Sequence, residues 1–175
     1  MRPPQFLKFE FDDAGPSIYP TAVAWSLQDG RIKNVVLMPE QEWLPLDSDD
    51  WQLDEAHYKE QGVPPVEVIR EMNEDLAEIT VYTDGLGPDE ELRDLLYETL
   101  NHGCTFEMAV LSDLLPQSGE ELVDRYQQLI FDRGLDPQIA ESGVYALLLL
   151  AQEEGLMKAL EGDDDGDYRG ESPEL

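Results

Sequence analysis

Three strand-like segments follow one another at the start of the chain and are joined by short turns. Residues 5–12 alternate, with Phe9 and Phe11 on one side and acidic side chains on the other. Segments 18–27 and 31–39 are rich in β-branched and aromatic residues, and the Asp-Gly pair between them is a strong hairpin signal. Because consecutive strands joined by tight turns run in opposite directions, this region predicts a three-stranded antiparallel meander.

The rest of the chain alternates between helical and strand-like patterns. Strands are predicted over 78–83 and 105–111, and helices near 52–60 and over 64–76, 87–103, 118–134 and 138–154. The last of these helices is apolar nearly all round, so it should be buried. This order predicts an α/β fold, with a mixed sheet of about five strands flanked by helices.

Length and composition indicate one globular domain. The chain has 175 residues, of which 41% are hydrophobic, and this is enough for one sizeable core. We expect the domain over residues 1–155 and an acidic, glycine-rich tail over 156–175. No apolar run reaches the roughly 18 residues of a membrane span, and the N-terminus lacks a signal-peptide pattern. One cysteine cannot form an internal disulfide. These features predict a cytoplasmic protein without membrane attachment.

The charge of the chain is strongly negative. Asp and Glu total 40 against 11 Lys and Arg, for a formal net charge of −29. Such a field opposes binding to nucleic-acid phosphates, which depends mainly on cationic side chains. Three explanations stay open: solubility or adaptation to salt, an acidic surface that mimics DNA, and an acidic face for a basic partner protein. The acids are scattered through every segment, which favours the first.

Three stretches occur in a distinctive order and spacing along the chain. They are SIYPTAVAWSLQDGRIKNVVLMPEQEW (17–43), EQGVPPVEVIREMNEDL (60–76) and TVYTDGLGPDEELRDLL (80–96). Together they resemble a group of small bacterial 3′–5′ exonuclease-like proteins of the DEDDh type, over roughly residues 5–152. The resemblance implies a ribonuclease H-like fold and phosphodiester hydrolysis by two metal ions, Mg²⁺ or Mn²⁺. It also implies four acidic groups that hold the ions and a histidine as general base.

The first two acids of this pattern lie two residues apart on the first strand, a spacing that aims both side chains from one face. Two alignments are open. Without a gap the pair falls on Lys8 and Glu10, whereas with a loop two residues shorter it falls on Glu10 and Asp12. Only the second supplies two carboxylates. In the first alignment, Lys8 replaces a carboxylate that would bind the metal. One like-charge contact at 4 Å costs about 4 kcal/mol at an effective dielectric of 20, or about a thousandfold in affinity for the metal. Alternatively, these acids simply face solvent.

The remaining positions of the pattern are partly lost. The third acid is expected at a helix start, where Asp89 stands, although the helix dipole alone explains an acid there. Asp84 looks like a turn residue. In the last motif, His-x-Ala-x-x-Asp, Gln138 replaces the base and Gly143 replaces the acid. Glu141 lies about 200° round the helix from that last position, so it could complete the site only in another register.

Other residues that often carry chemistry receive structural interpretations. His102 is expected in the last turn of a helix, and Cys104 is expected to be a small buried residue. Trp25, Trp43 and Trp51 are expected to pack in the core and its rim rather than stack on bases.

The sequence therefore predicts an exonuclease-like domain with an incomplete two-metal site. We expect a weakly active or inactive pseudoenzyme that serves as a binding module, for a single-stranded nucleic-acid end or a basic partner protein. One alternative is an active metal-dependent 3′–5′ exonuclease that uses Mg²⁺ or Mn²⁺. Its rearranged site would consist of Glu10, Asp12, Asp89 and Glu141. Another alternative is an acidic protein that mimics DNA.

Overall fold

The computed structural model describes most of the predicted domain. The described residues are 3–13, 17–43, 62–115 and 119–157. Trp51, the predicted helix near 52–60 and nearly all of the predicted tail lie outside them.

The described residues form an α/β fold, as predicted. The strands are β1 (Gln5–Asp12), β2 (Tyr19–Ser26), β3 (Ile32–Leu37), β4 (Gly62–Val63), β5 (Thr80–Thr83) and β6 (Glu107–Val110). The helices are α1 (Pro65–Leu76), α2 (Asp89–Thr99), α3 (Gly119–Asp132) and α4 (Ala140–Glu153), with short 3₁₀ turns at Gln41–Trp43 and Leu111–Asp113. The sheet has six strands rather than about five, because β4 was not predicted. Two residues are too few to show a strand period.

The strands form one mixed sheet in the order β4-β3-β2-β1-β5-β6. The pairs β1–β2 and β2–β3 are antiparallel, so the predicted meander is confirmed. The pairs β1–β5, β5–β6 and β3–β4 are parallel. Gly30 closes the predicted hairpin with φ of 90°, a conformation that glycine adopts without strain.

The sheet has an apolar cluster on each face. Leu7 and Phe9 of β1 belong to the cluster beneath α1 and α2, whereas Phe6 belongs to the cluster beneath α3 and α4. Successive strand residues point to opposite faces, so β1 contributes to both clusters. Trp25 and Trp43 are buried, and this confirms their predicted role in packing.

Helix α2 ends earlier than the sequence suggested. It ends at Thr99 rather than near Gly103, because Asn101 takes a left-handed conformation with φ of 55°. The His102 amide then donates to the Tyr97 carbonyl at 2.9 Å and closes the helix end. His102 therefore follows the helix instead of lying in its last turn, and Cys104 is exposed, so the prediction that it is buried was wrong.

Helix α4 packs against the centre of the sheet, as its apolar sequence predicts. Its buried residues occupy most of its circumference, including Val144, Leu147 and Leu148. Among the described residues, no helix combines the length and apolar character required to cross a membrane.

Candidate functional site

A cleft of about 1040 Å³ opens where β1 and β5 end. These strands are parallel neighbours, so their carboxyl ends lie at the same edge of the sheet. Helix α2, which follows β5, packs on one face of the sheet, while α3 and α4 pack on the other. Ligand sites of α/β sheets commonly lie in such a crevice beyond the carboxyl ends of the strands.

A buried ion pair forms the floor of the cleft. Lys8 Nζ lies 2.8 Å from Asp84 Oδ2, and their side chains are only 11% and 2% exposed. The Tyr126 hydroxyl donates to the same oxygen at 2.8 Å, and the Leu86 amide donates to Oδ1 at 2.9 Å. Burial, followed by the charge of Asp84, raises the pKa of Tyr126, so its phenol keeps the proton that it donates. Asp84 thus accepts hydrogen bonds from three groups that hold it in one position.

Helix α4 accommodates this pair through a glycine. An ideal Cβ on Gly143 would lie 2.5 Å from Lys8 Cδ and 3.1 Å from both Lys8 Cε and the Tyr126 hydroxyl oxygen. Carbon atoms in ordinary contact are about 3.5–4.0 Å apart. The lysine stem therefore occupies the volume that any other residue at position 143 would need for its Cβ.

Asp89 is buried at the start of α2. Its Oδ1 accepts a hydrogen bond from the Phe9 amide at 2.8 Å, while Oδ2 is buried and has no hydrogen-bond partner among the described residues. Burial raises the pKa of Asp89 to about 6. The Phe9 amide and the charge of Lys8 lower it by smaller amounts, and Asp84 raises it. Asp89 thus connects α2 to β1 and does not line the cleft.

Glu10 connects β1 to the start of α4. Its Oε2 accepts a hydrogen bond from the Ala140 amide at 2.9 Å. That amide is the first of α4, whose unsatisfied N–H groups favour a carboxylate. Asp12, at the end of β1, also lines the cleft.

The other predicted site residues lie around the start of α4. Gln138 lines the cleft from the loop before this helix. Glu141 is half-buried in the first turn and does not line the cleft. Of the four acids of the rearranged site, only Glu10 and Asp12 line the cleft. Within the ranges that the structure describes, no group of 3 or more histidine, cysteine or acidic residues is arranged to hold a metal ion.

Two residues of the site were missed from the sequence. Asp84 was interpreted as a turn residue, and its bond from the Leu86 amide is indeed a local turn bond. Its second oxygen, however, binds Lys8 and Tyr126. The signal that could have identified Asp84 is its position directly after a parallel strand next to β1. Tyr126 gave no signal beyond its place on the apolar stripe of a helix.

Comparisons with known proteins do not assign this chain to a family: no protein-family model matches it, and no significant match is found among curated proteins.

Proposed function

We propose that this chain is a ribonuclease H-like domain of the exonuclease type in which metal-dependent hydrolysis has been replaced by a binding role. Support comes first from the sheet. Three antiparallel strands are followed by the two-residue β4 at the β3 edge, and then by β5 and β6, which join on the far side of β1 and alternate with helices. Apart from β4, this order of elements is the one that the resemblance implies.

The contacts of β1 with α4 support the alignment without a gap. Lys8 contacts the helix at Gly143, and Glu10 bonds to it at Ala140. In that alignment, Lys8 and Gly143 are the positions of two metal-binding acids. The two departures from the family pattern are therefore adjacent in space and complementary in size, because the lysine stem passes where a side chain at 143 would be.

The observation that carries the proposal is the 2.8 Å contact between Lys8 Nζ and Asp84 Oδ2. A dinuclear centre needs carboxylates converging on two ions about 3.5–4 Å apart. Here a fixed ammonium already neutralises the carboxylate at the cleft floor. Each unit of positive charge that a metal ion brings to 4 Å from the Lys8 ammonium costs about 4 kcal/mol at an effective dielectric of 20. The residues of the site therefore do not fit a pair of divalent ions.

Nuclease activity and metal binding can be measured on the same samples. We expect the wild-type protein with Mn²⁺ to leave single-stranded DNA and RNA intact. We also expect Mn²⁺ to raise its melting temperature no more than it raises that of Glu10→Gln. A double variant, Lys8→Asp with Gly143→Asp, restores both acids of the pattern and removes the lysine stem. Its melting temperature should rise with Mn²⁺, because an ion that binds only the native state stabilises it.

A surface variant controls for diffuse binding of cations to an acidic protein. Glu107 is exposed on β6 outside the cleft, so Glu107→Gln should respond to Mn²⁺ as the wild type does. Shortening of the oligonucleotides by the wild type, abolished by Glu10→Gln and retained by Glu107→Gln, would show that the chain is an active exonuclease.

A further inference from the structure

The cleft exposes large apolar side chains to solvent. Phe131 of α3 is 79% exposed, Leu86 is 53% exposed and Phe11 of β1 is 46% exposed, and all three line the cleft. Exposed apolar groups that lie together around a concavity are typical of sites that bind another molecule. Aromatic side chains are also the residues that most often anchor a protein partner.

The same cleft is negatively charged. Glu10, Asp12 and Asp13 line it; the first two lie in the last three residues of β1, and Asp13 directly follows the strand. The one cationic residue among its lining residues is Lys8, whose ammonium is held by Asp84. In addition, Phe131 lies in the last turn of α3, where the partial charge of the helix end is negative. A partner that binds here must therefore supply positive charge.

The exposed apolar side chains and the negative charge of the cleft together indicate the class of partner. A nucleic-acid strand would bring phosphates toward three carboxylates in a chain with a net charge of −29. A second copy of the chain would bring the same acidic field. A protein segment that alternates Lys or Arg with apolar side chains matches both the charges and the exposed apolar groups.

We infer that the cleft between β1, the loop after β5 and the C-terminal end of α3 binds a basic, apolar-anchored segment of another protein. This inference rests on the proposed binding role and names the partner class and the surface. Phe131, Leu86 and Phe11 contact the apolar side chains of the segment, and the acids at the end of β1 contact its cations.

The inference can be tested with a short synthetic peptide of alternating lysine and leucine, labelled for fluorescence anisotropy. We expect saturable binding that weakens as salt is added. Phe131→Ser should weaken binding about tenfold or more, as loss of an anchor side chain does. Asp13→Asn should slow association and reduce the salt dependence.

Matched variants separate the cleft from the overall charge of the chain. Val66→Ser changes an apolar side chain that is 47% exposed on α1, and Glu107→Gln removes a charge on β6; neither residue lines the cleft. Both should bind the peptide as the wild type does. A peptide with glutamate in place of lysine, and a single-stranded oligonucleotide, should not bind.

Besides a failure to bind the peptide at all, four results would overturn the inference. They are equal binding by all four variants, binding of the glutamate peptide, binding of the oligonucleotide, and self-association that Phe131→Ser abolishes without any peptide binding. The nuclease assay distinguishes a failure of the partner inference from a failure of the proposed function. An inactive protein that ignores the peptide refutes only the partner, whereas Mn²⁺-dependent hydrolysis refutes the proposed function itself.

Discussion

Replacement of Gly143 by alanine tests whether Lys8 and α4 are packed as the structure shows. The new Cβ would lie 2.5 Å from Lys8 Cδ, so one of the two must move. Lys8 cannot move freely, because its Nζ is held 2.8 Å from the buried Asp84 Oδ2. The substitution therefore transmits strain from the helix to the ion pair.

Three effects determine the size of the change. Alanine in a helix interior is favoured over glycine by about 1 kcal/mol. Overpacking a filled site costs about 1–3 kcal/mol, and loss of one partner from a buried pair costs about 3–5 kcal/mol. The unfavourable terms are larger, so we expect Gly143→Ala to lower the free energy of unfolding by about 2 kcal/mol or more. For a chain of this length, that corresponds to a melting temperature lower by roughly 4–8 °C.

The assay is urea unfolding followed by circular dichroism, with Gly143→Ala introduced into three backgrounds. In wild type it should destabilise the protein. In Lys8→Met it should still destabilise, because methionine keeps a heavy atom at the δ position. In Lys8→Ala the obstructing stem is gone, so the same change should be neutral or stabilise by up to about 1 kcal/mol.

The sign of the stability change caused by Gly143→Ala in each background shows whether the Lys8 stem is the obstruction. A neutral or stabilising effect of Gly143→Ala in wild type would show that the lysine stem does not fill the space beside the helix. Equal destabilisation in all three backgrounds would locate the strain elsewhere, for example at the Tyr126 hydroxyl oxygen, 3.1 Å from the same Cβ.

Three further predictions test individual contacts of the site. Lys8→Met should destabilise the protein by about 3–5 kcal/mol, because it leaves Asp84 as a buried charge without its ammonium. Adding Asp84→Asn should recover part of this loss. If urea unfolding instead shows that the two substitutions have additive effects, the ion pair is contradicted. The pKa of Asp89 is about 6, above its usual 3.8, so the folded state binds this proton more tightly and its contribution to stability declines as pH rises from about 4 to 6. The unfolding free energy of wild type relative to Asp89→Asn should therefore fall by about 2 kcal/mol across that range, and parallel stability curves would refute the shift. Glu10→Ala should lower the free energy of unfolding by about 1 kcal/mol, because it removes the carboxylate at the start of α4. Glu10→Gln keeps an acceptor and should lower it less. Equal losses for the two variants would argue against the hydrogen bond from the Ala140 amide.

The elements of the fold were largely predictable because their signals are local. The stripe in 64–76 predicted α1, and Val68, Ile69 and Met72 are indeed buried on one face. The Asp-Gly turn predicted the hairpin between β2 and β3 for the same reason, since turn geometry depends on adjacent residues. Strand β4 was not predictable, because two residues pair with β3 only once the sheet exists.

Helix ends were less predictable than helix interiors. Gly134 ends α3 with φ of 65°, as its sequence suggested. Asn101 performs the same role after α2, two residues before Gly103, where the sequence predicted the helix to end. Several residue types tolerate the left-handed conformation, so a glycine downstream does not by itself locate the end of a helix.

The candidate site was predictable only in part from residue types. If the chain is an exonuclease-like domain as proposed, the sequence by residue type alone marks Lys8, Gln138 and Gly143 as departures from the expected pattern. It could not show that two of these departures compensate each other. The partner that accepts the ammonium of Lys8 is 76 residues away, and the two meet because β1 and β5 are parallel neighbours.

Residue types and their short-range spacing were therefore enough to predict the class of fold and most of its helices and strands. The packing of the Lys8 stem against Gly143 and the ion pair of Lys8 with Asp84 became visible only in the folded chain. A buried charge needs a partner within hydrogen-bonding distance. That distance depends on how the strands pair rather than on the order of residues along the chain.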